Sequence, residues 1–356
     1  MKPLLSIVVP VYNGAPFVAK TIERLLCETV SKEIILINDG STDNTLEILM
    51  SYASRHSCIR VINQINKGVS ATRNVGIREA RGKYIYFNDC DDTCDKGVLT
   101  SAVSKFTDSI DAVIFSYQHV AANGKIIRSI EYLPTKEYSI KEWISSPNQL
   151  INSHIVSCLG TTIRRLSIIQ HNNILYDESL SIYEDMIFAF EYMSHVKRLY
   201  YINKPYFSYT HINPNSLFQG YQKNKAQGTD SMLKAVESFF KKALEIKETS
   251  FLNTFIQFSF LAAIKNEATQ FCLSKDSHYK LSFLSNSSYL ERCNTPQSKL
   301  PHLYYILLKR QRFTLLMFIA GFKPNLERLI WAIIIPIGRG IKKMLKSFTK
   351  KKINKI

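Results

Sequence analysis

Short runs of apolar residues recur along the first 90 or so positions of the chain, and each run ends in polar or turn-forming residues. The runs occupy residues 4–11, 33–37, 59–62 and 84–87. Apolar runs of this length that are bounded by turn residues are typical of buried strands. The segments between them are predicted to be helices, at residues 16–29, 43–56 and 69–81. Because strands alternate with helices, the pattern predicts an α/β fold with a doubly wound, mostly parallel sheet flanked by helices.

Three polar side chains lie at the carboxyl ends of strands of this predicted sheet. Tyr12 follows the first strand, Asp39 the second, and Asp89 the aromatic-rich fourth. In open α/β sheets, ligands bind outside the carboxyl ends of the strands, near the point where the strand order reverses. The sequence therefore predicts a ligand site at one edge of the sheet, close to all three residues.

The fourth strand runs into three carboxylates within four residues, Asp89, Asp91 and Asp92. Such close carboxylates repel each other, but they suit a divalent cation. Mg²⁺ and Mn²⁺ prefer oxygen ligands, and Mg²⁺ commonly shares its coordination between carboxylates and substrate phosphates. An acidic turn that caps the next helix is the alternative, since Asp also favours turns and N-caps.

Four motifs resemble, in chain order, those of family 2 glycosyltransferases. They are SIVVPVYN at residues 6–13, NDGSTD at 38–43, NKGVSATRN at 66–74 and DCDD at 89–92. The resemblance is strong over these first 92 residues and continues more weakly to about residue 217. It implies the GT-A fold and the transfer of a sugar from a nucleoside diphosphate donor, with inversion at the anomeric carbon.

The resemblance implies roles for the first two strand ends in binding the nucleobase of the donor. Tyr12, with the backbone of Pro10 and Val11, is expected to flank the base, and its aromatic face suits stacking. Asp39 is expected to accept a hydrogen bond from the base, commonly uracil in this family, since an ionised carboxylate accepts and an imide N–H donates. A plain strand-end aromatic and a turn Asp are the alternatives for Tyr12 and Asp39.

The ribose and diphosphate are expected, by the same resemblance, to contact Asn66 and Arg73. Arg offers a fixed charge and a bidentate fork to phosphate, although a solvated helix residue is the alternative for Arg73. Asp89 is expected at the ribose and at the metal, and Asp91 is expected to bind the metal, Mn²⁺ or Mg²⁺, directly. Asp92 would orient the other two.

A later segment, YTHINPNS at residues 209–216, resembles a loop of the family that closes over the diphosphate. His211 is expected to bind the metal or a phosphate, and Ser216 to donate to phosphate. The alternative for His211 is a structural role, which is the commoner one for a lone His.

An acid pair, Glu184 and Asp185, begins an apolar helical pattern and resembles the acidic-pair motif of the family. The resemblance implies that Asp185 is the general base for the acceptor hydroxyl and that Glu184 supports the site or contacts the acceptor. The alternative is that the two acids stand at a helix N-terminus only because negative charge there interacts favourably with the helix macrodipole.

The segment GTTIRR at residues 160–165 precedes the acid pair. Some members of the family carry Lys where Thr161 stands, so no acceptor-binding lysine is assigned here. Arg164 and Arg165 are expected to be surface or helix-end charges.

Composition agrees with an enzyme that has a sizeable core, since 46% of the 356 residues are hydrophobic. The seven Cys are odd in number and irregularly spaced, which argues against a disulfide framework and suits a reducing compartment. The apolar run that begins the chain is interpreted as a strand rather than a signal peptide.

The chain changes character after about residue 220, where strand signals become few. We therefore predict three parts. They are a GT-A-like nucleotide-sugar-binding catalytic domain over residues 1–220, a helical subdomain over 221–300, and a basic membrane-associating region over 301–356.

The final part ends in a basic amphipathic pattern. Residues 339–356 contain eight Lys or Arg and no acid, with apolar residues at helical spacing among them. Such a helix lies on an anionic membrane surface, and a disordered basic tail is the alternative. We therefore expect a cytoplasmic protein, peripherally associated with the inner face of the cell membrane, that acts on a glycan or lipid-linked saccharide acceptor.

Three other function classes compete with this one. A pI near 9.4 suits nucleic-acid binding, but no such motif occurs and the basic tail lacks interleaved aromatics, so no nucleic-acid partner is predicted. A non-catalytic scaffold of a polysaccharide assembly complex is the main alternative, and a nucleotidyltransferase that releases pyrophosphate is a further one. The sequence favours an inverting, metal-dependent glycosyltransferase of bacterial surface polysaccharide synthesis, such as capsule or O-antigen, that uses a UDP-sugar.

Overall fold

The computed structural model describes residues 2–121, 124–130, 133–143, 159–210, 225–244 and 289–290. The chain divides into two compact units, Met1–Leu252 and Asn253–Ile356. All but two of the described residues belong to the first unit, and the fold described below is that unit.

Among the described residues, ten strands form one sheet. They are β1 (Leu5–Val11), β2 (Lys32–Asp39), β3 (Ile59–Gln64), β4 (Tyr84–Phe87), β5 (Thr93–Cys94), β6 (Ala112–Val120), β7 (Ile126–Ile130), β8 (Lys136–Ser139), β9 (Thr162–Arg165) and β10 (Arg198–Thr210). The helices are α1 (Val18–Leu26), α2 (Thr45–Arg55), α3 (Val69–Glu79), α4 (Val98–Val103), α5 (Ile140–Trp143), α6 (Leu166–His171), α7 (Glu184–Met193) and α8 (Lys225–Leu244). A 3₁₀ turn spans Leu159–Thr161.

The first half of the sheet is parallel and has the order β3-β2-β1-β4. Its four strands and the helices α1 to α3 that connect them confirm the alternation predicted from the apolar runs. All seven residues of β1 are buried, as expected for a strand covered on both faces. Gly76 of α3 packs so closely on β1 that a Cβ there would lie 2.3 Å from Val8 Cγ1.

The second half of the sheet is mixed. β9 pairs antiparallel with both β4 and β6, and β10 runs parallel to β6 and antiparallel to β5 and β8. Because β9 lies inside the sheet, Arg164 is 1% exposed, with its guanidinium near the rings of Phe188 and Tyr192. The expectation that Arg164 is a surface charge was wrong. Arg165, expected in the same place, is partly buried and donates to the carbonyl of Ile110.

The topology places the polar strand ends together. β1 has β2 and β4 as its parallel neighbours, so the carboxyl ends of all three strands meet at one edge of the sheet. This edge is therefore the position of Tyr12, Asp39 and Asp89.

Several predicted features lie outside the described residues. These are His211, Ser216 and the basic segment 339–356. Within the part of the chain that is described, no helix combines the length and apolar character needed to cross a membrane. The division into three parts at residues 220 and 300 stays a prediction.

Candidate active site

The loop after β1 presents an exposed aromatic ring. Pro10 and Val11 are buried inside β1, whereas Tyr12, the next residue, is 54% exposed. Asn13 has a positive φ of 48°, a conformation that Asn tolerates better than most residues. Its backbone N–H donates to Ser41 Oγ at 2.9 Å, which ties this loop to the one after β2. The Tyr12 ring is thereby held at the sheet edge, available to a flat ligand.

Asp39 organises the loop that follows β3. Its Oδ1 accepts from the backbone N–H of Lys67 at 2.9 Å and from Gln64 Nε2 at 2.7 Å, and its Oδ2 accepts from the Gly68 N–H at 2.9 Å. A carboxylate offers about four acceptor positions, and these bonds use three. Asp39 therefore holds the loop that carries the exposed Asn66, and its Oδ2 retains capacity for one further donor.

Gly40 allows the same loop to approach β2. It has a φ of +69°, and a Cβ at this position would lie 2.7 Å from the backbone nitrogen of Asn66. Both features require glycine, because other residues rarely adopt that φ and a side chain would collide with the backbone.

The carboxylate triplet forms a compact turn. Asn88 Nδ2 donates to the Asp89 carbonyl oxygen at 2.7 Å, and the Asp92 backbone N–H donates to the same oxygen at 3.1 Å. Asp92 is buried, whereas the side chain of Asp89 is 41% exposed and Asp91 is partly exposed. Burial together with the negative charges of Asp91, Asp89 and Asp92 raises the pKa of the Cys90 thiol, which illustrates how negative this turn is.

Arg73 of α3 joins this turn to the acid pair. Its Nη2 donates to Asp89 Oδ1 at 2.9 Å, and its Nη1 donates to Glu184 Oε1 at 3.2 Å. Burial disfavours the charge of the guanidinium, but the Asp89 and Glu184 carboxylates outweigh burial and raise the pKa of Arg73. This arginine lies inside the site and is 5% exposed, so it is not a solvated helix residue.

The acid pair begins α7, as the sequence predicts. Tyr183, the residue before it, has a φ of +65°, which is unusual for a bulky side chain. Glu184 is 8% exposed, and Asp185 is partly buried beside it. Burial and the charge of Glu184 raise the pKa of Asp185 to about 7, although Arg73 and the Met186 N–H act in the opposite direction. A carboxyl with that pKa can take a proton near neutral pH.

A second contact between α3 and the segment before α7 was missed by sequence reasoning. Asn74 Nδ2 donates to the Tyr176 carbonyl oxygen and to Glu178 Oε1, both at 2.9 Å, and Asn74 Oδ1 accepts from the Tyr176 N–H at 2.8 Å. The Tyr176 ring stacks on Phe188 of α7 with centroids 4.1 Å apart. Asn74 ends the third family-like motif, which was an available signal, whereas nothing in the sequence singles out Tyr176.

The structure thus brings the predicted residues together in two adjoining groups. One group lies at the ends of β1 to β3 and comprises Tyr12, Asp39 and Asn66. The other is joined through Arg73 and comprises Asp89, Glu184 and Asp185. Within the described part of the chain, no cluster of three His, Cys, Asp or Glu side chains is arranged to hold a metal ion.

Comparison with known proteins finds a match to the part of the chain that carries the strand ends and the carboxylate turn. A family model described as "Glycosyl transferase family 2" matches residues 6–166, which include β1 to β4, Asp39, Arg73 and the carboxylate turn. Residues 6–166, just under half of the chain, are thus similar to a family 2 glycosyltransferase domain. The acid pair and α8 lie beyond the matched residues.

Relatives and solved structures agree with this assignment. The chain is 31% identical to the uncharacterized glycosyltransferase EpsJ of Bacillus subtilis, over 61% of this chain and 63% of EpsJ, and so spans less than two thirds of that relative. It is 27% identical to the putative glycosyltransferase EpsH of the same organism, over 71% of this chain and 74% of EpsH.

The fold is that of TarS from S. aureus. The crystal structure of residues 1–349 of TarS in complex with UDP matches with a TM-score of 0.66 and 19% identity, over 90% of each chain. A second TarS structure, in complex with UDP-GlcNAc, matches with the same TM-score. The likeness confirms the predicted GT-A-like architecture, a mostly parallel sheet flanked by helices.

Proposed function

We propose that this protein is a glycosyltransferase that transfers a sugar from a UDP-sugar to a hydroxyl group of a glycan or lipid-linked acceptor, with inversion at the anomeric carbon. The observation that carries the proposal is the Asp185 carboxyl, whose pKa is raised to about 7 and which lies next to Glu184, a partner of Arg73 at the donor edge. A base in this position is what a direct displacement needs, because the acceptor hydroxyl must lose its proton as it attacks.

The donor nucleotide would bind at the ends of β1 to β3. The Tyr12 ring would stack on the base, flanked by the backbone of Pro10 and Val11, and the free acceptor position of Asp39 Oδ2 would take the imide N–H of uracil. Asn66, exposed on the loop held by Asp39, would reach the ribose. The TarS complexes with UDP and UDP-GlcNAc support a uridine donor for a protein of this fold.

The diphosphate would lie beside Arg73 and the carboxylate turn. The oxygen donors of Asp89 and Asp91 fit Mg²⁺ or Mn²⁺, since both carboxylates are partly exposed in a negatively charged turn. When bound, such a cation stabilises the negative charge that develops on the departing diphosphate. Arg73 is tied to Asp89 and orients that carboxylate. His211 and Ser216 remain candidates for the metal and the phosphate from the sequence pattern.

Asp185 would accept the proton of the acceptor hydroxyl, and the hydroxyl oxygen would attack the anomeric carbon from the face opposite the leaving diphosphate. One carboxylate base is sufficient for this reaction, and inversion follows from the single displacement. Glu184 forms an ion pair with Arg73 at 3.2 Å. Its negative charge also lies next to Asp185 and favours protonation of the Asp185 carboxyl.

The biological setting we infer is bacterial surface polysaccharide synthesis at the inner face of the cell membrane, of the capsule or O-antigen type. It is supported by the basic amphipathic pattern of residues 339–356 and by the resemblance of the motifs. Deletion of residues 339–356 should weaken binding to anionic vesicles and leave UDP affinity unchanged. Unaltered vesicle binding would remove the membrane from this proposal.

Calorimetric titration of the full chain with UDP, GDP and CDP tests the donor, with Mn²⁺ and then with a chelator. Tight binding of UDP that depends on metal is the expected result. If GDP or CDP binds better, the enzyme class stands and the uracil assignment of Asp39 is wrong. If a folded sample binds no nucleotide and hydrolyses no nucleotide sugar, the transferase proposal fails and a scaffold is the better account.

A further inference from the structure

Helix α8 (Lys225–Leu244) lies beyond the residues that the family model matches, and it packs against the segment that carries the acid pair. The rings of Phe239 in α8 and Phe190 in α7 have centroids 5.3 Å apart. Met232, Leu233 and Val236 of α8 are each at most 1% exposed. The helix is therefore an integral part of the catalytic unit.

The first turns of α8 contact the residues that immediately precede the acid pair. Gly228 is buried against Ile182 and Tyr183, and a Cβ at Gly228 would lie 3.0 Å from the Ile182 carbonyl oxygen and 3.3 Å from Tyr183 Cδ2. The neighbouring Thr229 is fully buried, its hydroxyl donates to the Lys225 carbonyl oxygen at 2.7 Å, and the same hydroxyl lies beside that of Tyr183.

Tyr183 is the residue with the positive φ that immediately precedes Glu184 and Asp185. A bulky side chain adopts this conformation only where its surroundings enforce it. The surroundings of Tyr183 include the bare backbone of Gly228 and the Thr229 hydroxyl. A change in this contact would rotate the start of α7 and move both carboxylates.

We propose that Gly228 and Thr229 are positioning residues for the reaction, acting through Tyr183 to set where the Asp185 carboxylate lies relative to the acceptor hydroxyl. The proposal rests on the proposed function, since it assigns to Asp185 the role of base. Neither residue touches the donor edge formed by β1 to β4, so their effect should fall on turnover and leave nucleotide binding intact.

The test uses the full chain and measures kcat at saturating UDP-sugar, the Kd of UDP, and folding by circular dichroism. Gly228→Ala should lower kcat about tenfold or more, because small displacements of a catalytic group carry large rate penalties. Thr229→Val removes the hydroxyl at nearly constant shape and should lower kcat about fivefold. Thr229→Ser restores the hydroxyl and should recover kcat to within about twofold of wild type. In all three variants the Kd of UDP should stay within about twofold.

Two controls separate positioning from general damage. Lys234→Ala changes an exposed residue of the same helix, paired with Asp230, and should leave kcat and UDP affinity unchanged. Tyr183→Phe removes the other hydroxyl of the pair. Combined with Thr229→Val, it should lower kcat no further than either change alone, because the effects of substituting two residues that interact with each other do not add.

Each outcome decides the matter. If Gly228→Ala does not fold, the Thr229→Val and Thr229→Ser pair carries the test. A folded Thr229→Val with wild-type kcat, or a loss of kcat matched by an equal loss of UDP affinity, overturns the positioning role while leaving the transferase in place. A wild-type enzyme that transfers no sugar overturns the proposed function, and the positioning role falls with it.

Discussion

The guanidinium of Arg73 lies 3.2 Å from a carboxylate oxygen of Glu184, although 111 positions separate the two residues in the chain. The same guanidinium lies 2.9 Å from Asp89. One buried side chain of α3 therefore connects the carboxylate turn at the end of β4 with the acid pair at the start of α7. In the proposed mechanism these are the donor side and the acceptor side of the reaction.

Replacement of Arg73 by Ala should damage both stability and activity. It leaves the Glu184 carboxylate buried without its cation, and removal of one partner from a buried ion pair typically costs about 3–5 kcal/mol. Because Asp89, the other partner of Arg73, is more exposed than Glu184, the expected loss of unfolding free energy lies in the lower part of that range. Transfer activity should fall by about two orders of magnitude or more, as for other lost electrostatic contacts at a reacting centre.

Urea unfolding and a transfer assay measure these two effects. Arg78→Ala, an exposed position of the same helix, is the matched control and should change neither quantity. A stable Arg73→Ala enzyme with full activity would show that the Arg73 bridge is dispensable.

Asp185→Asn should abolish transfer and yet stabilise the protein at pH 8. The pKa of Asp185 is raised in the folded state, from 3.8 to about 7. Folding therefore favours the protonated carboxyl, and the contribution of Asp185 to stability is lost as pH rises from about 4 to about 7. Asn stays neutral throughout, so the variant should gain up to about 4 kcal/mol above pH 7.

The free energy of unfolding of both proteins, measured between pH 4 and pH 8, checks this. The difference should widen as pH rises and should level off above pH 7. Glu191→Gln alters an exposed carboxyl of the same helix and serves as the control. A variant whose stability runs parallel to that of wild type across this range would contradict the raised pKa.

The pH dependence of catalysis should report the same group. If Asp185 is the base, kcat/KM should rise about tenfold per pH unit below pH 7 and then reach a plateau. The charged groups that set this pKa are Glu184 and Asp89, which raise it, and Arg73, which lowers it. A Glu184→Gln variant removes one negative charge and should move the midpoint to lower pH. A midpoint that does not move would mean that another group controls the profile.

Asp39→Asn should weaken both the fold and UDP binding. The carboxylate accepts two backbone N–H groups of the loop after β3 and the side-chain amide of Gln64, the last residue of β3. An Asn side chain turns one of these acceptors into a donor. The expected loss of stability is about 1–3 kcal/mol, since a buried donor is left unpaired. UDP affinity, measured by calorimetry, should fall by about tenfold or more.

Tyr12→Ala separates binding from stability at the same edge. The ring is 54% exposed, so its removal should leave the unfolding transition almost unchanged. Loss of base stacking, by analogy with stacking in nucleic-acid complexes, should weaken UDP binding by about 1–3 kcal/mol. Tyr12→Phe keeps the ring and should bind as wild type does. Equal affinity of the Ala and Phe variants for UDP would remove Tyr12 from the nucleotide site.

The strand ends were predictable because their placement follows from local pattern and sheet topology. Apolar runs identified β1 to β4, and parallel strands bring their carboxyl ends to one edge, so Tyr12, Asp39 and Asp89 could be grouped without coordinates. The start of α7 at the acid pair was predictable for a similar reason, since acids favour the first turn of a helix. The positions of these strands and of this helix start are set by residues that are close together in the sequence.

Other features could not be predicted from the sequence. Arg164 was expected at the surface, but β9 enters the sheet between β4 and β6 and buries it. The hydrogen bond of Asn74 to Tyr176 and the contact of Gly228 with Ile182 join segments that are far apart in the chain. No hydrophobic periodicity in the sequence indicates that these segments approach each other.

The sequence by itself determined that this chain has an α/β unit with aromatic and acidic groups at the ends of its parallel strands. Only the tertiary structure decided which of those groups meet. The bridge from Asp89 through Arg73 to Glu184, the raised pKa of Asp185 and the constraint on Tyr183 all arise between elements far apart in the chain. Charge interactions and burial act through space, so the chemical character of a carboxylate here depends on how α3, α7 and α8 pack and not on its neighbours in sequence.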